Sequence, residues 1–188
     1  VRKGEDGIVV IGSHPRIVQS ILDFDHLCGK KKPSIVAIIA SNRKAQKFFF
    51  GYEEILIPCF RSASDMPKNT DTKVRWMLNM QSGRRTFDST IAFFERFPKA
   101  LGGYLFAENV PEKHATELLR RFGRKYCIAG PSGVGILVGG YLKVGAIGGT
   151  DIHQISRSYL TSAGSVAVVS TSGGMTNELI RSVALAGK

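Results

Sequence analysis

Short apolar runs alternate with segments of helical periodicity along this chain, and that alternation constrains its fold more than any other feature. The runs are GIVVIG (7–12), SIVAIIA (34–40), VRWMLNM (74–80), LGGYLFA (101–107) and KYCIA (125–129). A strand buried on both faces reads as such an unbroken apolar stretch, whereas a strand with one wet face alternates. Between the runs, residues 17–27 carry Ile17, Val18, Ile21, Leu22 and Phe24 on one helical stripe. Residues 86–97 do the same with Ile91, Phe94 and Phe97, and Pro111 opens a third helix over 112–122. Pro15 suits the first turn of the first helix, where its missing N–H costs nothing. Strands and helices in this rhythm predict an α/β fold with a parallel sheet covered on both faces. Residues 46–58 (QKFFFGYEEILIP) interrupt it and read as a short extended pair, or one strand bent at Gly51, followed by a small helix near 62–67.

Ligands of such sheets bind beyond the carboxyl ends of the strands. Here those ends carry Gly12-Ser13-His14, Ser41-Asn42-Arg43, Met80 through Ser82 to Arg84, and Ala107-Glu108, which are expected to converge on one crevice. A strand, a glycine turn and a helix open a nucleotide-binding unit, yet of the G-x-G-x-x-G fingerprint only Gly12 is present, which weighs against a nicotinamide cofactor. NAD sites also place a carboxylate after the second strand. This chain has Ser41-Asn42-Arg43-Lys44 there, so the ribose it meets is expected to carry a phosphate, as in coenzyme A and NADP.

The charge agrees: 26 Lys and Arg against 15 Asp and Glu give +11, which calls for a polyanionic partner, either nucleic acid or a phosphorylated cofactor. The runs at Lys30-Lys31-Lys32 and Arg120–Lys125 read as solvated faces, whereas Arg43 and Arg84 each fall just after a strand. With 43% hydrophobic residues the chain is globular rather than disordered. No apolar run approaches membrane-spanning length and the first residues have no signal-peptide core, so a cytoplasmic location is expected. Cys28, Cys59 and Cys127 read as reduced core residues without metal-ligand spacing.

Residues 131–163 are glycine-rich and read as a crossover with one short strand near 141–146. Beyond it, residues 165–170 have the composition of a buried strand, and residues 177–186 carry apolar side chains at helical spacing. Between them stands Thr171-Ser172-Gly173-Gly174. A strand turning through two glycines into a helix leaves the first helical N–H groups free for an anion. An ordinary βα turn capped by Ser172 is the equal alternative on spacing alone.

The residues themselves are more specific. Ser170 to Leu179 (STSGGMTNEL) resembles the SRSGGMSNEL segment of the ATP-citrate lyase family, with Thr171 where the family has Arg. Val18 to Asp25, Gln46 to Gly51, Glu54 to Pro58, Phe87 to Thr90 and Glu108 to Glu112 are similar to that family's VQGMLDFD, QKFYWG, KEILIP, YDST and EGIPE. Met80, Ser82 and Arg84 match its N-F-x-S-x-R positions, with Met80 in place of Phe, and the glycine-rich link resembles GPATVG…KIGNTGG.

This resemblance implies a Rossmann-like CoA-binding domain (1–131), a link (132–163) and the first βα unit of a flavodoxin-like, phosphate-binding domain (164–188), the chain being part of a longer polypeptide. It implies coenzyme A held by Gly12, Ser13, His14, Ser41, Arg43, Met80, Ser82, Arg84 and Glu108, and a phosphoryl group received by Ser172, Gly173 and Gly174. The family makes acetyl-CoA and oxaloacetate from citrate, CoA and ATP through phosphohistidine, citryl phosphate and citryl-CoA. The phosphohistidine loop, the site for ATP and Mg2+ and the cleavage module have no counterpart in this sequence, so no catalytic residue and no metal ligand is assigned. The implied partners are citrate or citryl phosphate and the remaining domains or a second subunit, in a homo-oligomeric enzyme. A succinyl-CoA synthetase-type ligase is a rival reading, disfavoured by Asn177 where that family has Tyr. A nucleic-acid-binding domain is another, disfavoured because most aromatics fit core stripes.

Overall fold

The computed structural model describes residues 6–40, 43–147 and 152–187. Its main sheet comprises β1 (Gly7–Ile11), β2 (Ile35–Ile39), β3 (Ala45–Phe50), β4 (Glu53–Phe60), β5 (Val74–Asn79), β6 (Gly102–Leu105) and β7 (Cys127–Ala129). They lie in the order β3-β4-β2-β1-β5-β6-β7. All neighbours pair in parallel except β3, which runs antiparallel to β4 as an edge hairpin. The extended-pair reading of residues 46–58 is therefore the observed one. Gly51 makes the turn with φ +62, and a Cβ there would sit 2.4 Å from the His26 ring.

β1 is buried along its whole length because it is paired on both edges and covered on both faces. On one face, α1 (Pro15–Leu27) packs Val18, Ile21 and Leu22 against Ile8, Val10, Phe48 and Ile57. On the other, α2 (Gly83–Arg96) and α3 (Glu112–Phe122) pack Phe93, Phe94 and Leu118 against Val9, Met77 and Leu105, with Phe94 stacked on Tyr126 at 4.2 Å. The chain leaves β1 toward β2 on one side and returns through β5 on the other. The strand order thus reverses between β1 and β5, the switch point at which open α/β sheets leave a crevice.

Several expectations are corrected. Residues 131–163 hold not one strand but a hairpin, β8 (Gly135–Val138) and β9 (Leu142–Gly145), then the short helix α4 (Ile152–Ser156). β9 is fully buried beneath α1, whereas β8 is only half-buried and so lacks a strong apolar signature. Residues 165–170 form no strand, and Val169 is 98% exposed, because among the described residues no strand lies alongside to complete a ladder. The helix beyond, α5 (Gly173–Leu185), begins at Gly173 rather than at 177.

The cysteines are all free, but Cys127 is exposed and Cys28 half-buried, so the core reading holds fully only for Cys59. Lys30 is not a simple solvated lysine: its ammonium lies 2.6 Å from the fully buried carboxylate of Asp25, which also accepts from Ser34 N–H at 2.7 Å. The Arg120 and Arg121 cluster does lie on an exposed helix face. Both guanidiniums hydrogen-bond Glu117, holding its carboxyl well below the usual range, at about 2.

Candidate functional site

Parallel pairing brings the strand exits to one edge. Gly12 N–H donates to Ile39 O (2.9 Å), Met80 N–H to Ile11 O (2.7 Å) and Phe106 N–H to Asn79 O (2.9 Å), so the exits of β2, β1, β5 and β6 stand in a row. Gly12 has φ +99, and a Cβ on it would lie 3.1 Å from the Met80 carbonyl. Glycine therefore meets two demands there, left-handed backbone and close approach of neighbouring loops. The His14 and Phe106 rings are 6.4 Å apart across the switch point, and Gln46 Nε2 donates to Ser13 Oγ at 3.4 Å. At the other end of the crevice Gly83 abuts Asn109, the residue after Glu108.

Two helices begin at this edge, and their charges are unusual. The first turn of α1 follows His14 and contains Arg16; that of α2 follows Ser82 and contains Arg84 and Arg85; neither turn has an acid or a side-chain cap. Helix N-termini already carry partial positive charge, so cations there raise the local potential instead of relieving it. α3, which starts on Glu112, shows the ordinary pattern. Arg43, Arg84 and Arg85 are exposed and make no ion pair among the described residues. Such an edge has the charge and the free helix ends that attract an anion.

The chain was compared with known proteins. No family model matches it. It is 37% identical over 175 residues to ATP-citrate synthase of Bos taurus, and 38% identical over 174 residues to probable ATP-citrate synthase subunit 1 of Schizosaccharomyces pombe. Among solved structures, ATP citrate lyase from Methanothrix soehngenii in complex with citrate and coenzyme A superposes on 94% of the chain with a TM-score of 0.86 at 29% identity. The chain matches one region of ATP-citrate lyase. ATP citrate lyase of Methanosaeta concilii in complex with (3S)-citryl-CoA is similar at a TM-score of 0.85 and 30% identity. The chain spans 16% of the cattle enzyme, 28% of the fission-yeast subunit and 29% of the Methanothrix soehngenii chain, while 90% or more of its own length is matched.

Of the residues that the ATP-citrate lyase resemblance singled out, Gly12, Ser13, His14, Met80, Ser82, Arg84 and Glu108 all stand along the exits of β1, β5 and β6. Arg43 follows β2 at the same edge, and Ser41 lies outside the described residues. Ser172, Gly173 and Gly174 occupy the exposed start of α5. Ser172 Oγ accepts from Met175 N–H at 3.4 Å, so the serine-cap reading of that turn is met in geometry. They are not remote from the crevice: a Cβ on Gly173 would touch Val134 at 3.2 Å, and Ser132 N–H donates to Ala107 O at 2.9 Å beside Glu108.

Sequence reasoning missed the group that fixes the α2 end of the crevice. Asn79, fully buried at the end of β5, directs Nδ2 toward Ser89 Oγ (2.8 Å), Thr90 Oγ1 (3.0 Å) and Thr86 O (3.3 Å), while its Oδ1 accepts from Gln81 N–H (3.1 Å). Thr86 Oγ1 in turn donates to Ser82 O at 3.1 Å. A buried amide satisfied on both sides locks the 80–82 loop to its helix. An asparagine closing the apolar stretch Trp76-Met77-Leu78 was the available signal.

Proposed function

We propose that this chain is the CoA-binding part of an ATP-citrate lyase, the enzyme that makes acetyl-CoA and oxaloacetate from citrate, CoA and ATP. The observation that carries the reading is the pair of unpaired, cation-bearing helix N-termini at the switch point of a chain similar to a lyase solved with citrate and coenzyme A. In this reading the domain over 1–131 is Rossmann-like. Gly12, Ser13 and Ser82 offer backbone and hydroxyl groups to the diphosphate, and Met80 packs against adenine. Arg84 carries charge to the phosphates and His14 touches them, Glu108 accepts from hydroxyls, and Arg43 with Ser41 meets the ribose phosphate. Residues 132–163 link this domain to the start of a phosphate-binding one at 164–188, where Ser172, Gly173 and Gly174 receive the phosphoryl group of phosphohistidine or citryl phosphate. ATP and Mg2+ act through other parts of the enzyme, supplied by further domains or a second subunit of a cytoplasmic homo-oligomer. The thiol of coenzyme A supplies the nucleophile; the chain's own task is to bind and orient it.

Calorimetric titration of CoA tests this. Charge-assisted hydrogen bonds contribute about 1.5–3 kcal/mol, so Arg84→Ala should weaken CoA by about 10- to 150-fold. Unchanged affinity would remove Arg84 from the site. Wild-type chain should bind CoA more tightly than dephospho-CoA, and Arg43→Ala should abolish the difference; equal affinities in the wild type would sink the ribose-phosphate assignment.

A further inference from the structure

Away from the strand exits, a cavity of about 350 Å3 opens between α4 with its following turn and the outer half of α5. Its size is at the lower end of pockets that hold small ligands, about 300–1,000 Å3. His153 and Arg157 line it from one side and Asn177 and Arg181 from the other. Each pair is spaced i, i+4. Arg157 N–H donates to His153 O at 3.1 Å, which continues the α4 turn, and Asn177 and Arg181 are one turn apart on α5, so each pair shares a face. Leu160 and Ile180 form an apolar lining between them.

Two guanidiniums thus border one small concavity, and no Asp or Glu lines it among the described residues. Neither arginine makes an ion pair or side-chain hydrogen bond among those residues, whereas Arg96, Arg120 and Arg121 all have carboxylate partners. Both arginines are exposed, so water screens their mutual repulsion, and a cleft with two cations and no acid among the described residues still favours an anion over a cation. Guanidiniums match carboxylate and phosphate oxygens in a two-pronged geometry.

We propose that this cleft is a second anion site, distinct from the CoA crevice, that takes a small organic dianion with an apolar body: Arg157 and Arg181 clamp the charges, His153 and Asn177 add polar contacts, and Leu160 and Ile180 cover the carbon skeleton. The chemistry is shared by phosphate monoesters and short dicarboxylates. The test is a titration of the full chain with phenyl phosphate and, separately, succinate, followed by calorimetry and by amide chemical shifts. At least one probe should bind saturably and shift amides of 153–160 and 177–184; the better probe identifies the source of the anion. Arg157→Gln with Arg181→Gln should weaken it tenfold or more. Arg124→Gln with Lys125→Gln, which removes the same charge elsewhere, should change it less than twofold, and CoA affinity should be unaltered in both.

No saturable binding of either probe, shifts confined to 172–175, or equal weakening by the two double variants would overturn the proposal. Loss of CoA affinity in the first double variant would also overturn it, because the arginines would then be serving the crevice. The shift map decides the matter in wild-type protein even if a variant folds poorly.

Discussion

Gly83 offers a test in which two rules of helix energetics disagree in sign. It stands at the first position of α2, and by propensity alone Gly→Ala in a helix gains up to about 1 kcal/mol. Its surroundings forbid the methyl group. A Cβ at Gly83 would lie 1.9 Å from Asn109 O and 2.3 Å from Asn109 C, so relief to even 3.0 Å requires more than 1 Å of backbone movement. Neither partner is free to give. The start of α2 is held by Asn79 and Thr86, and the 107–110 loop is held through Ser132 N–H on Ala107 O.

Overpacking of this kind costs about 1–3 kcal/mol, and backbone as the obstructing group puts Gly83→Ala in the upper part of that range. After the propensity gain the net loss should be about 2 kcal/mol, which for a chain of this size lowers Tm by about 4–8 °C. Gly174→Ala is the internal control: no atom lies within 4 Å of its would-be Cβ, so the propensity term acts alone and stability should hold or rise. Urea denaturation followed by circular dichroism measures both, and CoA titration of Gly83→Ala should show weakened binding as Glu108 and Ser82 are pushed apart. A Gly83→Ala variant as stable as the wild type would refute the claim that α2 and the β6 exit are wedged together.

Asp25→Ala should cost about 3 kcal/mol in the same denaturation assay, the lower end of the range for breaking a buried pair, because Lys30 keeps some access to water; a loss under 1 kcal/mol would show the pair to be dispensable. Lys143, fully buried in β9 with its ammonium 3.3 Å from Ser20 Oγ, has its pKa pushed down by burial to about 8 from 10.5. Above pH 8 the folded chain gives up this proton before the unfolded chain does, so the handicap of burying the charge, roughly 3 kcal/mol at lower pH, fades between pH 8 and 10.5. The stability difference between wild type and Lys143→Met should therefore move in favour of the wild type across that window, and a difference flat with pH would refute it. Comparing the two proteins cancels Cys28, which is pushed up to about 11 and acts in the opposite direction as pH rises.

Much of the crevice was legible because it rests on local and periodic signals. Pro15 and Pro111 mark helix starts, the apolar runs mark buried strands, and parallel order follows from the helices between them. The meeting of Gly12, Met80 and Glu108 at one edge then needs no further information. What stayed hidden depends on side chains finding partners far along the chain. Lys143 reads as an ordinary surface lysine until β9 slides under α1, and Asn79 reads as a strand end until α2 folds back over it. Cys127 reads as core until β7 proves to be the outermost strand.

The last unit separates the two kinds of signal. α5 closes its hydrogen bonds within itself, and Ser172 caps its first turn, so the helix forms even with most of its surface exposed. Residues 165–170 are as rich in small apolar side chains as β1, yet β1 has β2 on one edge and β5 on the other, and this segment has neither. A strand's backbone groups must be satisfied by another strand, whose position no local pattern encodes. Apolar composition therefore reports that a segment can be buried, and only the neighbouring chain decides whether it is.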